Sequence, residues 1–264
     1  MNIENHIIQM LWVRNPVPWY VHTAISSFLE RGHEVHIYSY EPLEGVNLRA
    51  KPMDAEEILS SSRIFTYKDG WAAGHLSGFA DWFRYKLLFE RGGWWVDTDV
   101  ICLKPFTSEK RFVFASEHEV GDPKSITNNI IYARNPGEEI FAKACEICEE
   151  RGADVGFAET GPLLVSNLVK EMGLLEFVED PEIFNPVHYG DIGTLLLHPF
   201  VFQMKKIYRQ LRGRRPILLS SRSSSVHLYA NLLKGLVLVE QSYSGPTESV
   251  LWELICNATG PQSR

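Results

Sequence analysis

The sequence predicts an α/β fold, and two local patterns support that prediction. Within the first forty residues, an apolar run at 6–13 is followed by helical spacing at 19–31 and by an alternating run at 33–40. Strand, helix and strand in this order are typical of a parallel α/β unit. Further along, a helix predicted at 76–91 leads directly into an apolar strand at 94–103 (WWVDTDVICL).

The helix predicted at 76–91 has the strongest pattern in the chain. It ends at Gly92 and Gly93, and glycine is a common helix stop. Its apolar residues cover much of its surface, so we expect burial on several sides. They are Phe79, Trp82, Phe83, Leu87, Leu88 and Phe89.

The remaining elements have weaker patterns. The segment 43–74 is a looser connection with a short helical piece at 54–60. Runs at 112–116 and 129–133 predict strands, and 136–152 and 161–173 predict helices. Since the 264 residues contain no internal repeat and no low-complexity linker, we expect a single domain.

Composition restricts the classes of function. The chain is 45% hydrophobic and 22% charged, as ordinary globular proteins are. A net charge of −7 argues against nucleic acid as a partner. There is no run of 18 apolar residues and no basic stretch before an apolar one at the N-terminus. The four cysteines lack a disulfide pattern, so we expect a cytoplasmic protein with reduced thiols.

Two carboxylates, Asp97 and Asp99, stand where the strand at 94–103 leaves the core. Residues two apart on a strand point to the same side. Two carboxylates suit Mg²⁺ or Mn²⁺, which also bind phosphate oxygens and water and can stabilise a diphosphate leaving group. Because D-x-D occurs by chance in many proteins, the surrounding residues decide its meaning.

Those surroundings carry a family resemblance. Phe79–Tyr85 (FADWFRY) and Arg91–Val100 (RGGWWVDTDV) resemble the sugar-binding region of family 32 glycosyltransferases, the D-x-D enzymes of bacterial surface polysaccharide synthesis. The same pattern is distantly similar to the large clostridial glucosylating toxins. The close match covers 76–106, and its fixed residue types and spacing make it specific.

The resemblance implies a GT-A-like domain with a central mixed, mostly parallel sheet flanked by helices. Residues 1–135 would form the nucleotide-sugar-binding half, and 136–264 the acceptor side and a C-terminal lid. The donor would be a UDP- or GDP-sugar, the metal Mn²⁺ or Mg²⁺, and the acceptor a glycan or a lipid-linked oligosaccharide. Transfer would retain the configuration at the anomeric carbon.

Particular residues take expected roles from the same resemblance. Asp81 would accept hydrogen bonds from donor sugar hydroxyls, and Arg84, one helical turn later, would contact the sugar or a phosphate. The alternative for this pair is a surface ion pair. Two positions depart from the family pattern: Ala80 replaces a common serine, and Tyr229 is the nearest aromatic residue after His227, where we expect a tryptophan.

Weaker similarities extend the resemblance along the chain. Trp12 corresponds to a tryptophan that stacks on the nucleobase, although its place on a buried strand also fits the core. Asn128 and Asn129 resemble an asparagine-bearing segment of the donor site. Thr160–Pro162 resembles a T-G-P helix start, and His227 resembles a late histidine that would join Asp97 and Asp99 as a metal ligand.

A basic stretch at 204–215 stands out in the acidic chain. Met204, Ile207, Tyr208 and Leu211 occur at helical spacing among its cations. The cations are Lys205, Lys206, Arg209, Arg212, Arg214 and Arg215. One hypothesis is an amphipathic helix in peripheral contact with an anionic membrane; the other is a solvated basic face on a core-packing helix.

Two alternative functions remain open at this point. Haloacid-dehalogenase-type phosphohydrolases also have a strand that ends in Asp-x-Asp, but that strand normally opens the domain. A non-catalytic sugar-binding module would bind a glycan without a nucleotide. Metal-dependent nucleotide binding distinguishes the three.

Overall fold

The computed structural model describes residues 7–47, 49–70, 72–119, 121–232, 238–239, 242–243 and 247–259. The first position of the strand predicted at 6–13 lies outside them. The strands are β1 (Ile7–Leu11), β2 (Glu34–Ser39), β3 (Lys51–Asp54), β4 (Gly93–Val96), β5 (Val100–Cys102), β6 (Phe112–Glu119), β7 (Asp122–Ala133), β8 (Ser225–His227), β9 (Leu238–Val239) and β10 (Ser242–Tyr243).

The α-helices are α1 (Trp19–Glu30), α2 (Ser77–Arg91), α3 (Glu139–Arg151), α4 (Pro162–Glu171), α5 (Pro181–Phe184), α6 (Pro199–Leu211) and α7 (Val250–Thr259). Short 3-10 helices include Ala55–Glu57 and Tyr189–Leu196. Among the described residues, no helix combines the length and apolar character needed to cross a membrane.

Six strands form the central sheet in the order β3-β2-β1-β4-β7-β6. The first four are parallel, and β7 and β6 are antiparallel to their neighbours. The predicted fold class, a mixed and mostly parallel sheet flanked by helices, is therefore confirmed. The prediction missed β3, which lies inside the looser connection at 43–74. It also ended β6 too early, at residue 116, and began β7 too late, at residue 129.

The paired tryptophans of β4 show how the sheet divides the core. Successive side chains on a strand point to opposite faces. Trp94 belongs to the core cluster on one face, which includes residues of α1 and α7, and Trp95 belongs to the cluster on the other face, which includes residues of α2, α3 and α4. Helices therefore cover both faces of the sheet, and β4 is buried between them.

Helix α2 confirms the prediction of extensive burial. Nine of its fifteen residues are buried. It stops at Gly92, whose φ of 64° lies in the left-handed region that glycine adopts without strain. Gly93 also has a positive φ, and its missing side chain leaves room for Gln9, whose amide donates to the Gly92 carbonyl. The chain can therefore turn sharply from α2 into β4.

A buried ion cluster anchors α6. Asp191, in the 3-10 helix Tyr189–Leu196, is 5% exposed and accepts hydrogen bonds from Arg209 and Arg215. Arg215 also lies 3.8 Å from a carboxylate oxygen of Glu119. We call Asp191, Arg209 and Arg215 the aspartate-centred cluster.

Candidate active site

Two clefts of similar size open at opposite ends of β1. One, of about 420 Å³, is lined by Ile7 and Gln9 at the start of the strand. The other, of about 450 Å³, is lined by Leu11 and Trp12 at its end, together with Asp97 and other residues. Ligands of open α/β sheets bind outside the carboxyl ends of the parallel strands, so the second cleft is the candidate site.

The floor of this cleft is built around a buried arginine. Arg84 Nη1 donates to Asp81 Oδ1 at 2.9 Å, and Nη2 donates to Asp97 Oδ1 at 2.8 Å. The guanidinium also lies 5.0 Å from the Trp95 ring centre. We call Asp81, Arg84 and Asp97 the arginine-centred cluster. Asp81 and Arg84 form the ion pair that the alternative interpretation expects, but the pair is buried and does not lie on the surface.

The charges of this cluster are incompletely balanced. Burial raises the pKa of Asp81 to about 6 against the attraction of Arg84. Burial also raises the pKa of Asp97, again opposed by Arg84. One guanidinium serves two carboxylates, and its Nε is buried without a hydrogen-bond partner among the described residues. Such an unpaired buried donor is a place where a ligand oxygen fits.

Asp97 and Asp99 meet His227 beside the cluster. One ligand atom from each lies within 4.8 Å of the others. The Nε2 atom of His227 is 3.1 Å from Asp99 Oδ1, and the backbone N–H of Ala230 donates to Asp99 Oδ2 at 2.9 Å. Burial opposes the ionisation of Asp99. The charge and hydrogen bond of His227, together with the hydrogen bond from the Ala230 N–H, outweigh this effect and lower the pKa of Asp99.

The path by which these residues meet differs from the prediction. The strand ends at Val96, Asp97–Asp99 form a turn, and Val100 begins a strand of a separate two-stranded sheet. The prediction that both carboxylates share one side of a single strand is therefore wrong. Instead, β5 pairs with β8 so that Val100 lies opposite His227. That pairing brings the histidine to the carboxylates.

Asn128 and Asn129 contribute to opposite faces of β7. Asn128 donates to Asp81 Oδ1 at 2.8 Å, beside the arginine-centred cluster. The Asn129 side chain instead bonds Asn185 and Thr127, while its carbonyl accepts from the Asp97 N–H at 2.8 Å. The structure therefore brings Asn128 to Asp81, whereas Asn129 contacts Asp97 through its backbone.

Trp12 lies just beyond the end of β1, at the mouth of the cleft. It is half-buried, and its ring meets Tyr20 edge-on with centres 6.2 Å apart. Its indole N–H donates to the Arg14 carbonyl. One side of Trp12 packs against the core, while the residue also lines the cleft.

Several residues without a role predicted from the sequence also shape the site. Tyr229 has a positive φ of 48°, its ring centre lies 3.8 Å from that of His227, and its hydroxyl donates to Glu117 at 2.8 Å. Asn185 accepts a hydrogen bond from the side-chain amide of Asn129. Tyr85 donates to the Thr160 carbonyl, which connects α2 to the start of α4. A local signal existed for Tyr85, which lies in the same motif as Asp81, but not for Asn185.

Residues 9–119 match a protein-family model described as a glycosyltransferase sugar-binding region containing the DXD motif. The matched range contains Trp12, Asp81, Arg84, Asp97 and Asp99, whereas Asn128, Asn129 and His227 lie beyond it. The chain is therefore an enzyme of the glycosyltransferase class that carries this family's DXD region. The match supports the suspected family over this region, and it favours a glycosyltransferase over the phosphohydrolase alternative.

Solved structures with a similar fold are glycosyltransferases with low sequence identity. The PaToxG glycosyltransferase has 14% identity and a TM-score of 0.48, with 82% of this chain and 81% of that chain covered. The galactosyltransferase LgtC, in complex with donor and acceptor sugar analogs, has 9% identity and a TM-score of 0.45, with 98% and 97% covered.

GlyE of Streptococcus pneumoniae TIGR4 has 13% identity and a TM-score of 0.45, with 95% of this chain and 60% of that chain covered. Likenesses of this degree carry no information about substrates. No curated protein sequence matches the chain significantly.

Proposed function

We propose that the protein transfers a sugar from a UDP- or GDP-sugar to a glycan or lipid-linked oligosaccharide, in a metal-dependent reaction that retains the anomeric configuration. The observation that carries the proposal is Arg84, whose guanidinium bridges Asp81 and Asp97. It joins a carboxylate suited to sugar hydroxyls with a carboxylate suited to a metal, inside the region that matches the family model.

The donor set of Asp97, Asp99 and His227 fits a divalent cation. When the carboxylates Asp81, Asp97 and Asp99 are ionised and His227 is in the neutral form that binds a metal, Arg84 leaves an excess of two negative charges. Carboxylate oxygens are ligands that Mg²⁺ and Mn²⁺ prefer, and an imidazole also serves Mn²⁺. When bound, such an ion neutralises the charge of a diphosphate leaving group.

The remaining residues position the donor. Asp81, fixed by Arg84 and Asn128, accepts hydrogen bonds from the sugar hydroxyls. Arg84 offers its unpaired Nε to an oxygen of the donor and adds a positive charge on the leaving-group side. Trp12 offers a ring at the cleft mouth on which a nucleobase stacks. Asn129 supports the turn at Asp97 through its carbonyl.

Two parts of the proposal, retention of the anomeric configuration and a glycan or lipid-linked acceptor, are supported by the resemblance of residues 79–85 and 91–100 to family 32 glycosyltransferases. Glu117 is a neighbouring carboxylate that accepts a hydrogen bond from Tyr229, whose ring lies beside His227. We assign no nucleophile. A lipid-linked acceptor would remain at the membrane surface and a free glycan would not, so the two are distinguishable by assay.

The proposal is tested by thermal shift with UDP- and GDP-sugars, in Mn²⁺ and then in EDTA. A ligand at a hundredfold its dissociation constant adds about 2.7 kcal/mol of stability, which raises the melting temperature by roughly 5 to 10 °C for a chain of this size. The shift should require Mn²⁺, occur with one nucleotide class, and disappear in Asp97→Asn and Asp99→Asn.

Asp154→Asn is the matched control, because Asp154 is an exposed aspartate paired with Lys68. It should leave the shift intact. Release of nucleotide, with the anomer of the released sugar read by NMR, tests catalysis and retention in the same sample. Metal-independent glycan binding with no nucleotide-dependent shift would instead indicate the sugar-binding module.

A further inference from the structure

Helix α6 turns its apolar row away from the protein. Phe200, Met204, Ile207 and Leu211 are 69%, 52%, 50% and 81% exposed, whereas Phe202 is buried. Positions i, i+4, i+7 and i+11 lie in one row along a helix. The apolar row of α6 therefore does not pack on the core, although α6 itself contacts the core through Phe202, as the core-packing alternative for the segment 204–215 expects.

The side of α6 that faces the protein carries polar anchors. Lys206 Nζ donates to the Leu219 carbonyl at 2.6 Å, and Arg209 Nη1 donates to Asp191 Oδ2 at 2.6 Å. Rotating the apolar row inward would break these bonds and leave Asp191 with fewer cationic partners. The orientation of α6 is therefore fixed by the buried Phe202 and by these partly buried polar contacts, and the exposed row follows from it.

Three exposed cations border the apolar row. Lys205, Arg212 and Arg214 form no ion pair with the part of the chain that the structure describes. The guanidiniums of Arg212 and Arg214 lie 5.7 and 6.0 Å from the Tyr208 ring centre. The other three cations of the segment 204–215 turn into the protein. We call the four apolar residues Phe200, Met204, Ile207 and Leu211, with Lys205, Arg212 and Arg214, the α6 face.

We propose that the α6 face binds the surface of an anionic lipid bilayer, with the helix lying in the plane of the headgroups. An outward apolar row bordered by cations and a tyrosine is the pattern of interfacial helices. The charge complementarity is local, because the whole chain carries a net charge of −7. A second copy of the chain is disfavoured, since a two-fold contact through this face would bring like cations together.

The experiment measures partitioning of the full chain onto sucrose-loaded vesicles of phosphatidylglycerol and phosphatidylcholine, against vesicles of phosphatidylcholine alone. The triple substitution Lys205→Gln, Arg212→Gln and Arg214→Gln should lower the partition coefficient about a hundredfold, at about fivefold per cation. The double substitution Phe200→Ala and Leu211→Ala should lower it at least about tenfold. All five side chains are exposed, so the variants should fold.

Matched control variants remove the same number of exposed cations, or of large exposed apolar side chains, at positions outside the α6 face. Lys51→Gln, Lys68→Gln and Lys143→Gln remove three exposed cations, and Leu163→Ala with Leu175→Ala removes two exposed leucines. These controls should bind the anionic vesicles as the wild type does. The proposal would be overturned if the controls lost as much binding as the α6 variants, or if the wild type did not bind anionic vesicles. It would also be overturned if the protein formed a concentration-dependent dimer that the double substitution Phe200→Ala and Leu211→Ala dissociates.

The proposal does not depend on the proposed function. Donor-dependent thermal shifts should be unchanged in the α6 variants, because none of these residues contributes to the site. If no nucleotide sugar binds while vesicle binding remains, the proposed function fails and the α6 proposal stands.

Discussion

The protein contains two buried ion clusters with opposite charge balance. In the arginine-centred cluster one guanidinium lies between two carboxylates, and Asp99 adds a third nearby. In the aspartate-centred cluster one carboxylate lies between two guanidiniums, and Glu119 supplies the missing negative charge. The second cluster is complete within the protein, whereas the first has an excess of negative charge. Under the proposed function, this difference separates an ion cluster that stabilises the fold from one that binds a ligand.

The largest effect is expected from Arg84→Met. It leaves the buried Asp81 and the half-buried Asp97 without their cation, which should lower the free energy of unfolding by about 3 to 5 kcal/mol at pH 8. Asp81 already has a pKa of about 6 with Arg84 present. Without Arg84 both carboxyls titrate higher still, so the loss should shrink as the pH falls toward 5 and the carboxyls become protonated. Urea unfolding at the two pH values measures it, and a loss that is equal at both would contradict the charge argument.

A smaller loss is expected from Asp191→Asn. It leaves Arg209 and Arg215 without their shared carboxylate, but both are partly exposed and Arg215 keeps Glu119. The free energy of unfolding should fall by about 2 to 3 kcal/mol at pH 7. Although burial opposes ionisation, Arg209 and Arg215 hold the pKa of Asp191 below its usual value.

That lowered pKa fixes the pH dependence of the Asp191→Asn variant. The stabilising contribution is complete above the unfolded-state value of about 3.9 and is lost as the pH falls further. Wild type and variant should therefore converge below pH 4. Asp180→Asn, at an exposed aspartate, is the control. A change in donor-dependent thermal shift in Asp191→Asn would show that the two clusters are not separate in function.

The smallest effect concerns the pH dependence of metal binding at the first cluster. Burial would lower the pKa of His227, but Asp99 and Asp97 outweigh it and raise the pKa above 6.5. A metal ligand must be the neutral imidazole. Mn²⁺ affinity should therefore rise with pH up to this raised pKa, by as much as tenfold per pH unit, with release of one proton. Titration calorimetry in two buffers of different ionisation enthalpy counts the proton, and His227→Gln should abolish the release.

The first cluster could largely be predicted from the sequence, and the second could not. Asp81, Arg84 and Asp97 lie within one short segment whose helix and strand have clear patterns. His227 was expected only through the resemblance, and the pairing of β5 with β8 that brings it to Asp99 has no local signal. Asp191 lies some twenty residues before its two arginines, in a region of weak periodicity. The spacing of Met204, Ile207 and Leu211 predicted a helix, but spacing alone does not say which face packs inward.

The shared guanidinium of Arg84 has a consequence for the order of binding. Under the proposed assignment, a sugar on Asp81 and a cation at Asp97 both act on the same bridging group. Each changes the hydrogen bonds and charge that Arg84 offers to the other side. Thermodynamic reciprocity then requires the cation to alter the affinity for the sugar by the same factor as the sugar alters the affinity for the cation. One side chain would thus make recognition of the sugar and retention of the metal a single cooperative event.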